Sequence, residues 1–197
     1  MTQTVSQTVL ITGASSGIGY ELAWIFARHQ SDLVVVARRE DELMRLKGQL
    51  EARYGIRVWP IVADLAVADA AQALVDRLKT EGLTIDVLVN NAGFGNYGPF
   101  LTTDWPRLQA MLTLNIITLS LLLPGMVARG GGKILNLAST AAFQPGPFMA
   151  VYFATKAYVL LFSEAIANEL QGTGVTVTAL CPVSYTHLRA HETVLDL

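Results

Sequence analysis

The stretch Thr12-Gly13-Ala14-Ser15-Ser16-Gly17-Ile18-Gly19 decides the predicted fold, because it joins an apolar strand to an amphipathic helix. An apolar run precedes it, and the helical pattern that follows places four apolar residues on one face: Ile18, Leu22, Ile25 and Phe26. A helix start offers unpaired N–H groups and a positive dipole end, which suit a phosphate, and glycines allow close backbone approach. The spacing is not that of the triphosphatase phosphate loop, since no lysine follows Gly19. The pattern favours a nucleotide site, with a tight ligand-free connection as the alternative.

The composition describes a single soluble domain. Of the 197 residues 52% are hydrophobic and 15% are charged, so a substantial buried core is expected. The net charge of −2, without a basic block, does not indicate nucleic acid or an anionic membrane as a partner. The lone cysteine, Cys181, excludes a disulfide within the chain and fits a reducing cytoplasm. The N-terminus lacks a signal-peptide pattern, and polar residues interrupt the apolar region 112–127, so no membrane span is expected.

Apolar runs alternate with helical patterns along the rest of the chain. The further strands are predicted at 33–37, 58–62, 85–89, 133–138 and 175–180, and the further helices at 40–53, 68–80, 105–127 and 150–170. This alternation indicates right-handed βαβ units and a parallel sheet covered on both faces. The predicted fold is α/β, a doubly wound, Rossmann-like parallel sheet in a single domain. In such sheets ligands bind at the carboxyl ends of the strands.

Two arginines follow the second predicted strand, close to where a nucleotide ribose is expected. Arg38 and Arg39 come directly after Ala37, and no carboxylate appears before Glu40. NAD-dependent enzymes place an acidic residue near this point, whereas a guanidinium gives paired, charge-assisted donors to a 2′-phosphate. The pattern favours NADP(H) over NAD(H). Two solvated charges at a strand end are the alternative.

Polar residues also follow the next two strands. Asp64, followed by Leu65, suits either a hydrogen bond from an adenine amino group or the N-cap of the next helix. In the turn Asn90-Asn91-Ala92-Gly93 the asparagines are expected to tie the loop to neighbouring strands, and Gly93 to allow close cofactor approach. All these strand ends should meet around one crevice.

Tyr152-Phe153-Ala154-Thr155-Lys156 carries the sharpest hint of catalysis. A tyrosine and a lysine at i and i+4 lie one turn apart on the same helix face. Free tyrosine has a pKa of about 10, and a neighbouring ammonium favours the phenolate, which brings the side chain closer to useful proton transfer. Amphipathic packing with a surface lysine is the alternative. Ser139 lies at the end of the preceding strand and so at the same sheet edge, which favours the catalytic interpretation.

Together these motifs resemble the short-chain dehydrogenase/reductase family, in the form with Thr-Gly-x-x-x-Gly-x-Gly, Asn-Asn-Ala-Gly and Tyr-x-x-x-Lys. The matching positions follow the family's order and junctions: Thr12–Gly19, Asn90–Gly93, Asn115, Ser139, Tyr152 and Lys156. The resemblance covers the chain from about Val9 to Pro182. The Val-Ala-Arg-Arg ending of the second strand is similar to that of the NADP-preferring group.

The resemblance implies hydride transfer between NADP(H) and a carbonyl or secondary alcohol. Tyr152 is implied as the acid or base at the substrate oxygen, Ser139 as a donor to that oxygen, and Lys156 as the holder of the nicotinamide ribose. Asn115 is implied to keep a water in a proton relay from Lys156 to solvent. The implied cofactor-binding residues are Gly13, Ser15, Ser16, Gly17, Ile18, Gly19, Arg38, Arg39, Asp64, Leu65, Asn91, Ala92, Gly93, Tyr152, Lys156 and Pro182.

The end of the chain departs from the family's pattern. From Val183 it reads Val-Ser-Tyr-Thr-His-Leu-Arg-Ala-His-Glu-Thr, which matches a translated frame of a common sequencing-library adapter. We therefore expect a dinucleotide-binding and catalytic domain over 1–182 and a non-native tail over 183–197, with the family's substrate-binding loop missing. His187 and His191 share a helical spacing suited to a metal, but no third ligand is nearby, so no metal is predicted.

Two questions stay open at this stage. The leading function is a carbonyl reductase or alcohol dehydrogenase, the alternatives being a 3-oxoacyl-thioester reductase and an inactive nucleotide-binding fragment. The neighbouring apolar side chains Leu119, Leu121, Leu122 and Leu123 cannot all face one sheet. The full-length parent is therefore expected to form a homodimer or homotetramer, with burial beneath the missing C-terminal part as the alternative.

Overall fold

A six-stranded parallel sheet forms the centre of the protein in a computed structural model that describes residues 7–116 and 122–183. The strand order is β3-β2-β1-β4-β5-β6, and every neighbouring pair is parallel. The strands are β1 (Thr8–Thr12), β2 (Asp32–Ala37), β3 (Val58–Val62), β4 (Val87–Asn90), β5 (Gly132–Leu137) and β6 (Val175–Leu180). This confirms the predicted doubly wound, Rossmann-like α/β fold.

Helices connect the strands and cover both faces of the sheet. They are α1 (Gly17–Arg28), α2 (Glu40–Tyr54), α3 (Ala70–Thr80), α4 (Trp105–Ile116), α5 (Leu123–Ala128) and α6 (Ala150–Glu169). Two short 3₁₀ turns lie at Phe100–Thr102 and Thr140–Phe143. Most boundaries fall within two residues of the predicted ones, because the apolar runs that mark the strands are bounded by turn residues.

The core is divided by the sheet into two apolar layers. All six residues of β2 are buried, so their alternating side chains contribute to both layers. Leu43, Leu46 and Leu50 of α2 fill one layer, as their spacing predicts, and Leu74 and Leu78 of α3 fill the other. A sheet covered in this way is expected to carry β-branched runs without polar alternation.

The first helix packs more closely than its large apolar residues suggest. Its fully buried face consists of small residues, Gly19, Ala23 and Ala27, while Ile18 and Phe26 are only partly buried against the core. Small side chains let the helix axis approach the sheet, and this closeness fixes the helix N-terminus beside the end of β1. The predicted face, with Ile18, Leu22 and Phe26, packs partly buried against the same core beside these small residues.

The segment 105–127, which was predicted as one helix, contains two helices among the described residues. These are α4 and α5, and residues 117–121, including Leu119 and Leu121, lie outside the described residues. Leu122 and Leu123 pack partly buried against the core. They contribute to the interior of the protein rather than to a free apolar face.

The sixth helix, α6, is long and apolar enough by composition to cross a membrane. Three of its polar side chains, Thr155, Lys156 and Ser163, are instead buried and hydrogen-bonded within the protein. A helix that points polar groups into a protein interior packs as a core helix. Its first two turns lie at the carboxyl edge of the sheet.

Candidate active site

A large cleft opens where the strand order reverses, between β1 and β4. Its volume is about 790 Å³, and it spans the carboxyl ends of β1 to β6. Its lining includes these predicted site residues: Gly13, Ser15, Ser16, Ile18, Arg38, Arg39, Asp64, Leu65, Asn91, Ala92, Gly93, Ser139, Tyr152, Lys156 and Pro182. The crevice predicted from strand ends is therefore present, at the place where open α/β sheets bind ligands.

The turn after β1 is held against the turn after β4. The Asn91 side chain donates to the Thr12 and Gly13 carbonyls, at 2.8 and 3.2 Å, and Thr12 Oγ1 accepts from the backbone N–H groups of Asn91 and Ala92. A Cβ on Gly13 would lie 2.7 Å from Asn91 Nδ2, and φ is +69° there, so only glycine fits. The asparagine thus ties the loop to a neighbouring strand end, as its sequence context predicts.

The other two glycines of the turn differ in role and do not line the cleft. Gly19 is buried, and a Cβ there would lie 2.5 Å from the Gly13 carbonyl oxygen, so this residue permits the close helix-to-turn packing. Gly17 begins α1 with φ +59° and has open space around its Cα. Ser16 precedes it in an extended conformation and makes no side-chain cap bond, so its side chain does not satisfy the first N–H groups of α1.

The two arginines after β2 have different environments. Arg39 donates to the Ser15 hydroxyl and carbonyl at 3.1 Å, so it braces the glycine turn. Arg38 is 74% exposed, and its only ion-pair partner among the described residues is Asp64, at 3.9 Å. Arg38 is therefore the guanidinium with donors to spare at this end of the cleft.

Asp64 does not cap a helix. Its carboxylate accepts from the Ala66 backbone N–H at 3.1 Å, which makes a local turn, and α3 begins only at Ala70, after Asp69. The helix predicted from residue 68 therefore starts two residues later, and the N-cap alternative for Asp64 is wrong. The carboxylate remains on the cleft wall beside Leu65.

Tyr152 and Lys156 lie in the first two turns of α6. The lysine is 7% exposed, its Nζ donates to the Leu137 carbonyl at 2.6 Å, and it lies 5.8 Å from the centroid of the Tyr152 ring. Burial lowers the pKa of Lys156 from 10.5 to about 8, and the electrostatic interaction with Cys181 acts in the opposite direction. A buried cation beside a phenol at the end of a cleft is the arrangement that proton-transfer sites use.

Ser139 stands at the end of β5 and is 6% exposed. It precedes the 3₁₀ turn Thr140–Phe143, and its Oγ accepts from the Ala141 backbone N–H at 3.1 Å. This bond fixes the hydroxyl oxygen. Since a hydroxyl also carries one donor hydrogen, the side chain can donate into the cleft that it lines with Tyr152.

Asn115 lies behind the cleft wall rather than on it. Its amide accepts from the Phe94 backbone N–H and donates to the Phe94 carbonyl, both at 3.2 Å, and also donates to Thr155 Oγ1 at 3.0 Å. The Thr155 hydroxyl in turn donates to the Tyr152 carbonyl at 2.7 Å. The side chain therefore ties the loop after β4 to the first two turns of α6, a role that the sequence did not reveal.

A second buried polar network was also missed by the sequence patterns. Asn90 donates to Asn136 Oδ1 at 2.8 Å, and Asn136 donates to Ser163 Oγ at 2.9 Å. The network joins β4, β5 and α6 across the interior and so fixes the position of α6 relative to these two strands. Polar residues within apolar runs were the available signal, since buried polar groups require partners.

No cluster of three or more His, Cys, Asp or Glu side chains suited to a metal occurs among the described residues. His187 and His191 lie outside the described residues.

Comparisons with known proteins agree with this geometry. A sequence model of the short chain dehydrogenase family matches residues 7–192. A ketoacyl reductase, HetN, from Nostoc sp. is 35% identical over 92% of this chain and 64% of its own. The short-chain dehydrogenase from Sphingobium yanoikuyae in complex with NADPH is 38% identical and superposes with a TM-score of 0.86, covering 91% of this chain and 72% of that one. The bulky-bulky ketone specific alcohol dehydrogenase from Comamonas testosteroni is 35% identical with a TM-score of 0.84, covering 90% and 73%.

The chain therefore belongs to the short-chain dehydrogenase family. It spans about 60% of the length of the curated relatives that it matches. The family match runs to residue 192 and so overlaps the segment from Val183 onward, whose non-native origin stays a hypothesis.

Proposed function

We propose that this member of the short-chain dehydrogenase family is an NADP(H)-dependent oxidoreductase that interconverts a ketone and a secondary alcohol. The observation that carries the proposal is the meeting of Ser139, Tyr152 and buried Lys156 in the cleft that also contains the glycine turn. The oxidoreductase names of the relatives and the NADPH bound to a similar structure support it. The enzyme is expected in the cytoplasm, and neither nucleic acid nor a membrane is proposed as a partner.

The residues of the cleft fit a dinucleotide. The open N–H groups at the start of α1 suit a pyrophosphate, and Gly13 allows its close approach. Asp64 and Leu65 would border the adenine, and Asn91, Ala92, Gly93 and Pro182 the remaining length. Lys156 would donate to the nicotinamide ribose hydroxyls. When bound, the cofactor supplies or accepts the hydride.

The side chains of this protein would handle the proton and the orientation of the substrate. Tyr152 would give its hydroxyl proton to the carbonyl oxygen in reduction and take it back in oxidation. Ser139 would donate a hydrogen bond to the same oxygen and so fix the carbonyl. The Lys156 ammonium would favour the phenolate that Tyr152 leaves behind. Asn115 would act through the backbone of Phe94 and the Thr155 hydroxyl, which hold the loop and the helix in register; its relay water stays a prediction.

The preference for NADP(H) over NAD(H) rests on Arg38. Its guanidinium is exposed at the end of β2 and is held by only one long ion pair, to Asp64. A 2′-phosphate offers a stronger, bidentate partner than that carboxylate. Arg39 is already engaged with Ser15 and would contribute mainly charge.

A 3-oxoacyl-thioester reductase is the second candidate, supported by the ketoacyl reductase among the relatives. An inactive nucleotide-binding fragment is the third. Measured rates with free ketones and with 3-oxoacyl thioesters separate the first two. NADPH binding without any turnover would favour the third.

Self-association into a homodimer or homotetramer is proposed for the full-length protein. Leu112 on α4 and Leu161 on α6 are exposed apolar residues that a second copy would cover. Light scattering coupled to size-exclusion chromatography tests this, and a monomer at all concentrations would contradict it.

The direct test of the proposed function is NADPH consumption. The purified chain is mixed with NADPH and a panel of aliphatic, aromatic and hydroxylated ketones, and with NADH in parallel. We expect ketone-dependent loss of reduced nicotinamide that is faster with NADPH. Reduction of no ketone and no thioester would contradict the proposal.

A further inference from the structure

An aromatic side chain lies inside the cleft beside the proposed catalytic groups. Phe94 follows Gly93 and lines the same cleft as Ser139 and Tyr152. The next residue brings this loop against the tyrosine, since a Cβ on Gly95 would lie 3.3 Å from the Tyr152 ring. A carbonyl held by Ser139 and Tyr152 would therefore have one of its two substituents next to the Phe94 ring.

The Phe94 ring is held in place from several sides. The Arg107 guanidinium carbon lies 5.0 Å from the ring centroid, within cation–π range. Arg107 is itself fixed, because its Nε donates to Asn96 Oδ1 at 2.8 Å. The Asn115 amide binds both backbone polar groups of Phe94. The ring is thus preorganised as a wall, which lowers the entropic cost of binding against it.

A pair of exposed aromatic residues lies on the loop after β4 and on the segment before α6. Tyr97 and Phe148 are 76% and 55% exposed, and their ring centroids are 5.8 Å apart. The Gly98 N–H donates to the Phe148 carbonyl at 2.8 Å, which joins the two segments. Neither ring lines the cleft, so the wall beside Ser139 and Tyr152 is formed by Phe94 alone of these three aromatic residues.

The carboxylate of the cleft lies away from the Phe94 ring. Asp64 is the only carboxylate among the described residues that line the cleft, and it pairs with Arg38. A polyhydroxylated substituent placed against the Phe94 ring would give up hydrogen bonds to water that the ring cannot replace.

We propose that Phe94 forms a subsite for a bulky apolar substituent of the ketone, an aryl ring or a long alkyl chain. This rests on the proposed function and names its substrate class. Phe94 is the residue that selects the substituent, and Arg107 positions its ring. Sugars and other polyhydroxy ketones are excluded as preferred substrates.

The test compares substrate preference in matched variants. With NADPH, kcat/KM is measured for acetophenone, acetone and dihydroxyacetone in the wild type, Phe94→Ala, Phe94→Leu and Tyr158→Ala. Tyr158 is an exposed aromatic residue that does not line the cleft, and so controls for the loss of a surface ring. The acetophenone-to-acetone ratio should favour acetophenone in the wild type and fall about tenfold in Phe94→Ala, less in Phe94→Leu, and not in Tyr158→Ala.

Two results would overturn the subsite while leaving the oxidoreductase intact: an unchanged ratio in Phe94→Ala, or a preference for dihydroxyacetone. If no ketone is reduced, the proposed function fails, and the subsite is then tested separately by measuring ketone binding. Calorimetric titration of benzophenone into the NADPH-containing protein should then show binding that Phe94→Ala weakens about tenfold and Tyr158→Ala does not. Absence of benzophenone binding, or equal affinity in Phe94→Ala, would overturn it.

Discussion

Replacing Lys156 by methionine should change how the stability of the protein depends on pH. The substitution keeps the length of the side chain and removes the ammonium that lies buried beneath Tyr152. Burial lowers the pKa of Lys156 from 10.5 to about 8. The folded protein therefore binds fewer protons than the unfolded chain between these two pH values, and the lysine disfavours folding at neutral pH.

The size of the effect follows from the two pKa values. They differ by about 2.5, and a difference of one corresponds to about 1.36 kcal/mol, so charging the lysine costs on the order of 3 kcal/mol. This cost is fully present below about pH 8 and disappears as the pH rises toward 10.5. The free energy of unfolding of the wild type, measured relative to that of Lys156→Met, should thus increase by about 2–3 kcal/mol from pH 7 to pH 10.

Urea unfolding at several pH values measures this difference. Titrating groups distant from Lys156 are common to both proteins, so their contributions cancel in the comparison. Lys133→Met, which removes an exposed lysine on β5, serves as the control. Parallel stability curves for the wild type and Lys156→Met between pH 7 and pH 10 would refute the reasoning, because the lysine would then not be buried in its charged form.

Three further substitutions test other parts of the site. Gly19→Ala should destabilise the protein by about 1–3 kcal/mol in urea unfolding, because its Cβ would overlap the Gly13 carbonyl. The control Gly48→Ala, in open space on α2, should stabilise the protein by up to about 1 kcal/mol. Equal effects of the two substitutions would contradict the close packing at Gly19. Ser163→Ala leaves the buried Asn136 amide without its acceptor and should cost about 1–3 kcal/mol, and an unchanged unfolding midpoint would argue against the network. Arg38→Ala should weaken NADPH binding at least about tenfold in a fluorescence titration and leave NADH binding unchanged; equal loss for both cofactors would contradict a 2′-phosphate contact.

The positions of the site residues were predictable because they depend on strand ends. Each strand is recognisable in the sequence as an apolar run, and the residue after the run must lie at the carboxyl edge of a parallel sheet. Arg38, Ser139 and Asn91 could therefore be assigned to one crevice before their distances were known. The spacing of Tyr152 and Lys156 fixed their common helix face in the same way.

The connections between those residues were not predictable from local patterns. The bonds from Asn115 to Phe94 and Thr155 join segments 21 and 40 residues apart, and no periodicity reports such pairings. Asp64 was compatible with a cap until the start of α3 was known, because the residues between them carry no strong helix signal. The close packing of Gly19, Ala23 and Ala27 in α1 was not predicted either, because small residues contribute little to an apolar pattern.

The proton-transfer role of Tyr152 is the central claim, and Tyr152→Phe tests it most directly. The substitution removes one hydroxyl and keeps the ring against Gly95. With a ketone that the wild type reduces, NADPH consumption by Tyr152→Phe should fall by about 10²–10⁴-fold, while the dissociation constant for NADPH stays within a factor of about two to three. Turnover close to that of the wild type, with NADPH bound equally well, would contradict the account.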